Sequence, residues 1–389
     1  MYIIGKEEVD AVQRVIESKQ LFRYLAGAES ESGKFEAEWA AKIGTKYALA
    51  VTSGTAALIT GLVGMGIGPG DEVIVPAYTF MATALAVLAV SAVPIIAEVD
   101  TSLTIDPADV ERKITPRTKV IIPVHMVGLP SNMDAIMAIA EQHNLKVLED
   151  CCQADGGSYG GKRLGSIGHA GAFSFNHYKI ITCGEGGALV TDDRSLYERA
   201  LIVHDGGSSF RTHAAGIITP FFAGMNFRIN EILSAVMRVQ LTRLDGMLDA
   251  MLTEKRLMIQ ALEGVGDFAF NPIHDVEGDC GTTLALLFPS AERVRQVLAN
   301  FQEAGVSTST PIDSGKHVYA NWDPILNQRG SHNSALSAYN MAQAPVEYSA
   351  DMCPNTLDYL ARTVFLYTDP TRPRETLDSM IEAVKKAVA

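Results

Sequence analysis

The chain is poor in cysteine, has no excess of positive charge, and contains no unbroken apolar run long enough to span a bilayer. Its five cysteines (Cys151, Cys152, Cys183, Cys280 and Cys353) are odd in number and form no CxxC pair, which argues against a disulfide framework. No secretory leader pattern is read ahead of them, so the expected compartment is a reducing one, the cytoplasm. Acidic residues outnumber Lys and Arg by 45 to 32, a net charge of −13, and they are scattered rather than blocked. That balance argues against a nucleic-acid partner. The nearest approach to a membrane span, Met81 to Ala97, is broken by Thr83, Ser91 and Pro94 and ends at Glu98. It reads as a buried helix followed by a buried strand, with no membrane partner. HExxH, HxH and clustered-acid patterns are missing, so no metal is expected.

What remains is an ordinary globular composition, 47% hydrophobic and 20% charged over 389 residues, enough for one large or two to three ordinary domains. From Tyr47 the chain alternates short apolar runs with helical stretches. Strands are expected at Ala48–Val51, Glu72–Val75, Val93–Ile96, Val120–Val124 and Lys146–Leu148. Helices are expected at about Ala56–Val63, Met81–Val90, Asp106–Lys113 and Met133–His143. This is the α/β pattern of a mostly parallel sheet with helices on both faces, in which ligands sit beyond the carboxyl ends of the strands. A long helical pattern from Asn230 to Leu262 leads to a strand at Thr283–Phe288 and helices at Ala291–Ala304 and Leu377–Val388. The expected organisation is a large domain over 1–240, opening on a helical segment, and a smaller α+β domain over 241–389. Thr310 to Asp351 reads as irregular.

Four stretches carry chemistry. Thr52-Ser53-Gly54-Thr55-Ala56-Ala57-Leu58 follows a strand and opens a helix. The amides of Thr55 and Ala56, with the Thr55 hydroxyl, would meet an anion at the positive end of that helix, unless Ser53 merely caps it. Pro76-Ala77-Tyr78-Thr79-Phe80 ends another strand with aromatics that could stack on a planar ring or pack in the core. Val147-Leu148-Glu149-Asp150-Cys151-Cys152-Gln153 ends a third strand in two acids, one of which must enter the cleft. A carboxylate there needs a cationic partner, such as a protonated pyridine nitrogen. In Phe173-Ser174-Phe175-Asn176-His177-Tyr178-Lys179, a lysine stands five residues after Ser174 and before the turn Gly184-Glu185-Gly186-Gly187. A single lysine is ordinarily a solvated surface cation. Here an anion cradle, an aromatic, a carboxylate and a lysine all fall at the same edge of one sheet, which is what a Schiff-base lysine holding pyridoxal phosphate requires.

These motifs, with Gly224-Met225-Asn226-Phe227-Arg228, resemble in order and spacing the DegT/StrS family of sugar aminotransferases. The resemblance covers about residues 5 to 260. It implies the aspartate aminotransferase fold (fold type I) and pyridoxal 5'-phosphate as cofactor. It also implies Lys179 as the Schiff-base lysine and proton carrier, and it selects Asp150 for the pyridine nitrogen because Gln153 follows with the family spacing. Gln153 would face the ring hydroxyl, Phe80 would stack on the ring, and Gly54, Thr55, Ala56 and Ser174 would hold the phosphate. Asn226 would reach the phosphate of a neighbouring subunit, so a homodimer with shared active sites is implied. Two departures stand out: Cys151 and Cys152 replace small residues, and Asp155 falls where the family often has histidine.

Leu21 to Tyr24, Val124 to Gly128 and His317 to Trp322 look most like a subgroup acting on keto-sugars such as keto-octulosonates and inososes. On that likeness Tyr24, His125, His317 and Trp322 become substrate-side candidates, against the alternative that they are packing residues. The expected reaction moves an amino group from L-glutamate or L-glutamine to a keto-sugar by a ping-pong mechanism. One rival is a keto-sugar dehydratase of the same family, although that branch carries His at the lysine position. The other is a non-catalytic cofactor-binding regulator, although no basic helix-turn-helix segment is present.

Overall fold

The computed structural model describes residues 3–207, 209, 216–330 and 337–389. Part of the irregular stretch expected from Thr310 to Asp351, residues 331–336, therefore lies outside the described residues. The chain opens with helices α1 (Lys6–Ser18) and α2 (Glu31–Ile43). The alternation then begins: β1 (Tyr47–Val51), α3 (Gly54–Gly64), β2 (Glu72–Pro76), α4 (Ala82–Ala89), β3 (Val93–Ala97), α5 (Pro107–Lys113), β4 (Thr118–Ile121), α6 (Met133–Gln142) and β5 (Lys146–Asp150). A two-strand hairpin, β6 (Ser158–Tyr159) and β7 (Lys162–Arg163), precedes β8 (Ala170–Ser174), β9 (Gly187–Thr191) and α7 (Arg194–His204).

Seven strands form the main sheet in the order β1-β9-β8-β5-β4-β2-β3. The outward alternation of side chains splits each strand between two cores. Leu49 and Val51 of β1 join one cluster, with Val73 and Val75 of β2 and the apolar face of α3. Ala48 and Ala50 join another, with Trp39 of α2. Ile74 faces a third, beneath α6.

The expected parallel arrangement is interrupted once. β9 runs antiparallel to both β1 and β8, while β8, β5, β4, β2 and β3 pair in parallel. The cause is the connection: residues 175–186 return without a crossover helix, and only an antiparallel neighbour can be reached that way. The return is tight. A Cβ on Gly187 would lie 2.4 Å from the carbonyl oxygen of Ser53, so only glycine fits where β9 passes beneath the start of α3. β8, β9 and α7 carry no separate expectation from the sequence.

After α8 (Glu231–Leu262) comes a four-stranded antiparallel sheet, ordered β10-β11-β13-β12. Its members are β10 (Ala269–Phe270), β11 (Thr283–Leu287), β12 (Thr308–Ser309) and β13 (Thr363–Tyr367), packed on α9 (Ala291–Glu303) and α13 (Arg374–Val388). Between β12 and β13 lie α10 (Asp323–Leu326), α11 (Ala338–Met341) and α12 (Pro354–Ala361). This insertion returns to the first body: Val318, Tyr319, Trp322, Ile325 and Leu360 share a core with Leu49 and Val75. Residue 240 falls inside α8, whose amino-terminal part packs on α1 and α2 while Met258 and Leu262 enter the core beneath the four-stranded sheet.

Candidate active site

A cavity of about 580 Å³ opens at the carboxyl edge of the main sheet. Every strand of that sheet except β9 ends there, so loops far apart in sequence are delivered to one place. Gly54, Thr55, Phe80, Asp150, Gln153, Ser174, Lys179 and His317 all line it, eight of the residues singled out by sequence.

The cradle for an anion lies at the start of α3. Ser53 caps this helix, its Oγ accepting the Ala56 N–H at 3.1 Å. That capping bond corrects the expectation for Ala56. Its amide is already engaged, its side chain is buried, and it does not line the cavity. Thr55 does line it, across from Ser174 at the end of β8. Between them Gly54 leaves room that no side chain could share: a Cβ there would lie 2.7 Å from Ser174 Cβ and 2.8 Å from Cys152 Sγ. A concave wall of this kind, backed by a helix dipole and two hydroxyls, fits a phosphate group.

At the end of β5 the two acids part. Glu149 turns away from the cavity and accepts N–H groups from Gly165, Ile167 and Gly168 at 2.7–2.8 Å, together with His125 Nε2 at 3.1 Å. Asp150 enters the cavity. Its Oδ1 accepts the Cys152 N–H at 3.1 Å and its Oδ2 the Thr83 hydroxyl at 2.8 Å. Both of these donors are neutral, so the carboxyl group is oriented without being paired to a cation through them and can meet a cationic ring nitrogen. Gln153 is oriented too. Its Oε1 accepts the Val127 N–H at 3.2 Å, which leaves both protons of its amide for a ligand.

Lys179 lines the same cavity, followed by Glu185, whose Oε1 accepts from Asn176 Nδ2 at 3.0 Å. His317 reaches the mouth from the insertion, because Thr79 N–H donates to its carbonyl at 2.9 Å and Val318 bridges Tyr78. Burial, with Lys316 and Lys179 nearby, lowers its imidazole to about 4, so the ring is neutral at pH 7. Cys152 also lines the wall, its thiol held well above the usual range by burial and by Asp150. It is therefore an inert wall and not a nucleophile.

Three substrate-side candidates are corrected. His125 is fully buried. Its Nδ1 accepts the Ser131 N–H at 3.1 Å, which places the ring proton on Nε2, toward Glu149. Ligand atoms of His125, Glu149 and Cys151 lie within 4.8 Å of one another, yet the imidazole and carboxylate lone pairs there are already engaged by protein donors. Trp322 is buried in the first core and donates Nε1–H to the Lys316 carbonyl at 3.2 Å. Tyr24 lies away from the cavity, its hydroxyl 3.1 Å from His204 Nε2. Asn226 does not line the cavity of its own chain either. It is exposed, and its Oδ1 accepts the Arg228 N–H at 3.3 Å.

Sequence reasoning missed Thr83, Lys316, Thr282, Thr283 and Tyr367, all of which line the cavity. Thr83 had a legible signal, one helical turn beyond Phe80. The other four come from segments that approach the sheet only through tertiary packing.

A phosphate cradle, a restrained carboxylate, a ring-facing amide and a lysine on one α/β sheet edge define a pyridoxal-phosphate aminotransferase. The comparisons agree. Residues 2–324 match the model of the DegT/DnrJ/EryC1/StrS aminotransferase family. A dTDP-3-amino-3,4,6-trideoxy-alpha-D-glucose transaminase of Streptomyces venezuelae is 42% identical over 67% of this chain and 68% of its own length. An L-glutamine:2-deoxy-scyllo-inosose aminotransferase of Micromonospora echinospora is 34% identical over 82% of this chain and 78% of its own. The crystal structure of 3-amino-5-hydroxybenzoic acid synthase superposes with a TM-score of 0.81 at 31% identity, over 99% of this chain and 97% of that one. The chain belongs to the DegT/DnrJ/EryC1/StrS aminotransferase family.

Proposed function

We propose that this aminotransferase takes the amino group of L-glutamate or L-glutamine and delivers it, by a ping-pong mechanism, to the ketone of a sugar or cyclitol. The observation that carries the reading is the convergence of Lys179, Asp150 and the Gly54–Thr55 cradle on one cavity. The sugar and inosose transaminases among its relatives support the choice of acceptor. Pyridoxal phosphate supplies an electron sink for the carbon that bears the amino group.

The chain's own residues do the rest. Lys179, which lines the cavity, would anchor the cofactor through Nζ and, when not so engaged, would serve as the proton carrier at the reacting carbon. Asp150, fixed by Thr83 and Cys152, would hold the ring nitrogen in its protonated form. The amide of Gln153 would donate to the ring oxygen, Phe80 would cover a ring face, and Thr55 and Ser174 would hold the phosphate. Asn226 projects from an exposed loop beside Met225, itself 58% exposed, and we assign it to the phosphate of a neighbouring subunit in a homodimer. Five unpaired cysteines support a reducing, cytoplasmic setting, and among the described residues no helix is long and apolar enough to cross a membrane.

The test is spectroscopic. Glutamate or glutamine should bleach the visible band of the loaded protein, and a keto-sugar or inosose should restore it. Lys179→Ala should lack the starting band and the turnover; a Lys179→Ala protein that still turned over would sink the reading.

A further inference from the structure

A second cavity, of about 550 Å³, adjoins the first and shares four of its wall residues: Val127, Gln153, His317 and Tyr367. Resting on the aminotransferase reading of the Lys179 site, we propose that this second cavity receives the uncharged, hydroxyl-bearing ring of the amino acceptor.

Three features support the assignment. The first is an idle donor. Tyr78 lines the cavity, is 98% buried (2% exposed), and its hydroxyl has no hydrogen-bond partner among the described residues. Burial pushes its proton loss far above the usual range, so it remains a neutral donor. The hydroxyl is not sealed in the protein interior, so it stays open to a ligand oxygen in the cavity. Near it Ser309 Oγ and Tyr367 OH stand 2.5 Å apart, with Thr308, Thr310 and Ser314 along the same wall.

The second feature is charge. Among the described residues lining this cavity there is no lysine or arginine; the one carboxylate is Asp313, which accepts the Thr310 hydroxyl at 2.5 Å, and His317 is neutral. A phosphate or carboxylate placed here would meet an acid and no cation, whereas hydroxyls would meet hydroxyls. Met126, Leu298, Pro311 and Phe365 form an apolar side suited to the C–H face of a saturated ring.

The third is strain at the junction. Val127 holds φ 48° and ψ 32°, a left-handed conformation that a β-branched residue rarely adopts. Gln153 fastens its N–H, and the Thr282 hydroxyl donates to its carbonyl at 2.6 Å. Strain of this sort persists where the surroundings over-determine it, and here it shapes the passage between the cavities.

The experiment uses the full-length, cofactor-loaded protein, with myo-inositol and myo-inositol 1-phosphate as non-reacting probes followed by saturation-transfer NMR. Myo-inositol should bind about tenfold more tightly than its phosphate. Tyr78→Phe, which breaks no hydrogen bond in the fold, should weaken myo-inositol about tenfold with an unchanged melting temperature, and Asp313→Arg should narrow the preference against the phosphate. Equal or tighter binding of the phosphate to the unaltered protein overturns the inference, as does failure of myo-inositol to bind. Unchanged binding by Tyr78→Phe overturns it as well. Amino transfer from glutamate, measured in the same variant, should fall far less than myo-inositol binding. An equal fall would assign the cavity to the donor and overturn the proposal. A protein that binds myo-inositol as described but takes no amino group from glutamate or glutamine would instead refute the aminotransferase reading.

Discussion

Thr83 Oγ1 stands 2.8 Å from Asp150 Oδ2, and Thr79 Oγ1 stands 2.8 Å behind it. One hydroxyl carries one proton. Because Thr83 gives its proton to the carboxylate, Thr79 must donate to Thr83, and the two threonines form a short relay ending on Asp150. The relay fixes the carboxylate plane before any cofactor arrives.

Thr83→Val keeps the shape and removes the donor. A hydrogen bond to a charged group contributes about 1.5–3 kcal/mol, so the variant should release pyridoxal phosphate roughly ten- to a hundredfold more readily. Equilibrium dialysis of the cofactor measures this directly. Thr83→Ser should bind nearly as the parent does. A valine variant with parental affinity would show that Cys152 N–H alone orients Asp150.

Asp155 offers a prediction in pH. Both its carboxyl oxygens are buried without a hydrogen-bond partner, and burial holds the group well above the usual carboxylate range, opposed by Lys179. Its folded value thus exceeds its unfolded value of about 3.9, and the folded chain binds this proton more tightly. Stability from this group is fully present below pH ~4 and declines as pH rises from there toward the folded value. Asp155→Asn removes that decline. Calorimetry at pH 4, 6 and 8 should show the variant's melting temperature gaining on the parent's as pH rises, with no gain at pH 4. Parallel curves would show that Asp155 is satisfied in solution.

What the sequence made legible was local. The Ser53-Gly54-Thr55 turn, the acid pair that closes β5 and the lysine after Ser174 are each encoded within a few residues; Gly54, Thr55, Asp150 and Lys179 line the cavity, while Glu149 turns away from it. His125 and Trp322 misled because a polar or aromatic residue in a motif looks alike whether it meets a ligand or a backbone carbonyl. Only the Ser131 amide and the Lys316 carbonyl distinguish the two cases. Lys316 and Tyr367 were invisible for the opposite reason: Lys316 arrives on an insertion that packs back beside β2, and Tyr367 closes β13 of the second sheet, so both meet the site through long-range packing with no periodic signature. The antiparallel β9 was likewise a consequence of what the connection lacked, a helix.

The last prediction concerns the junction between the two sheets. Lys255 of α8 and Asp279, just before β11, form an ion pair with both side chains 1% exposed, and Asp279 Oδ1 also accepts the Gly281 N–H at 2.8 Å. The pair ties the long helix to the second sheet where the chain passes from one body to the other. Lys255→Met would leave a buried carboxylate with no cation, which costs about 3–5 kcal/mol. The double variant Lys255→Met with Asp279→Asn removes the orphaned charge while an amide oxygen can still accept from Gly281, so it should recover most of that loss. Urea midpoints of the parent, the single variant and the double variant separate the two effects. A single variant within about 1 kcal/mol of the parent would place the pair in water, as for exposed ion pairs. A double variant as unstable as the single would mean that the aliphatic packing of Lys255, and not its charge, holds the helix to the sheet.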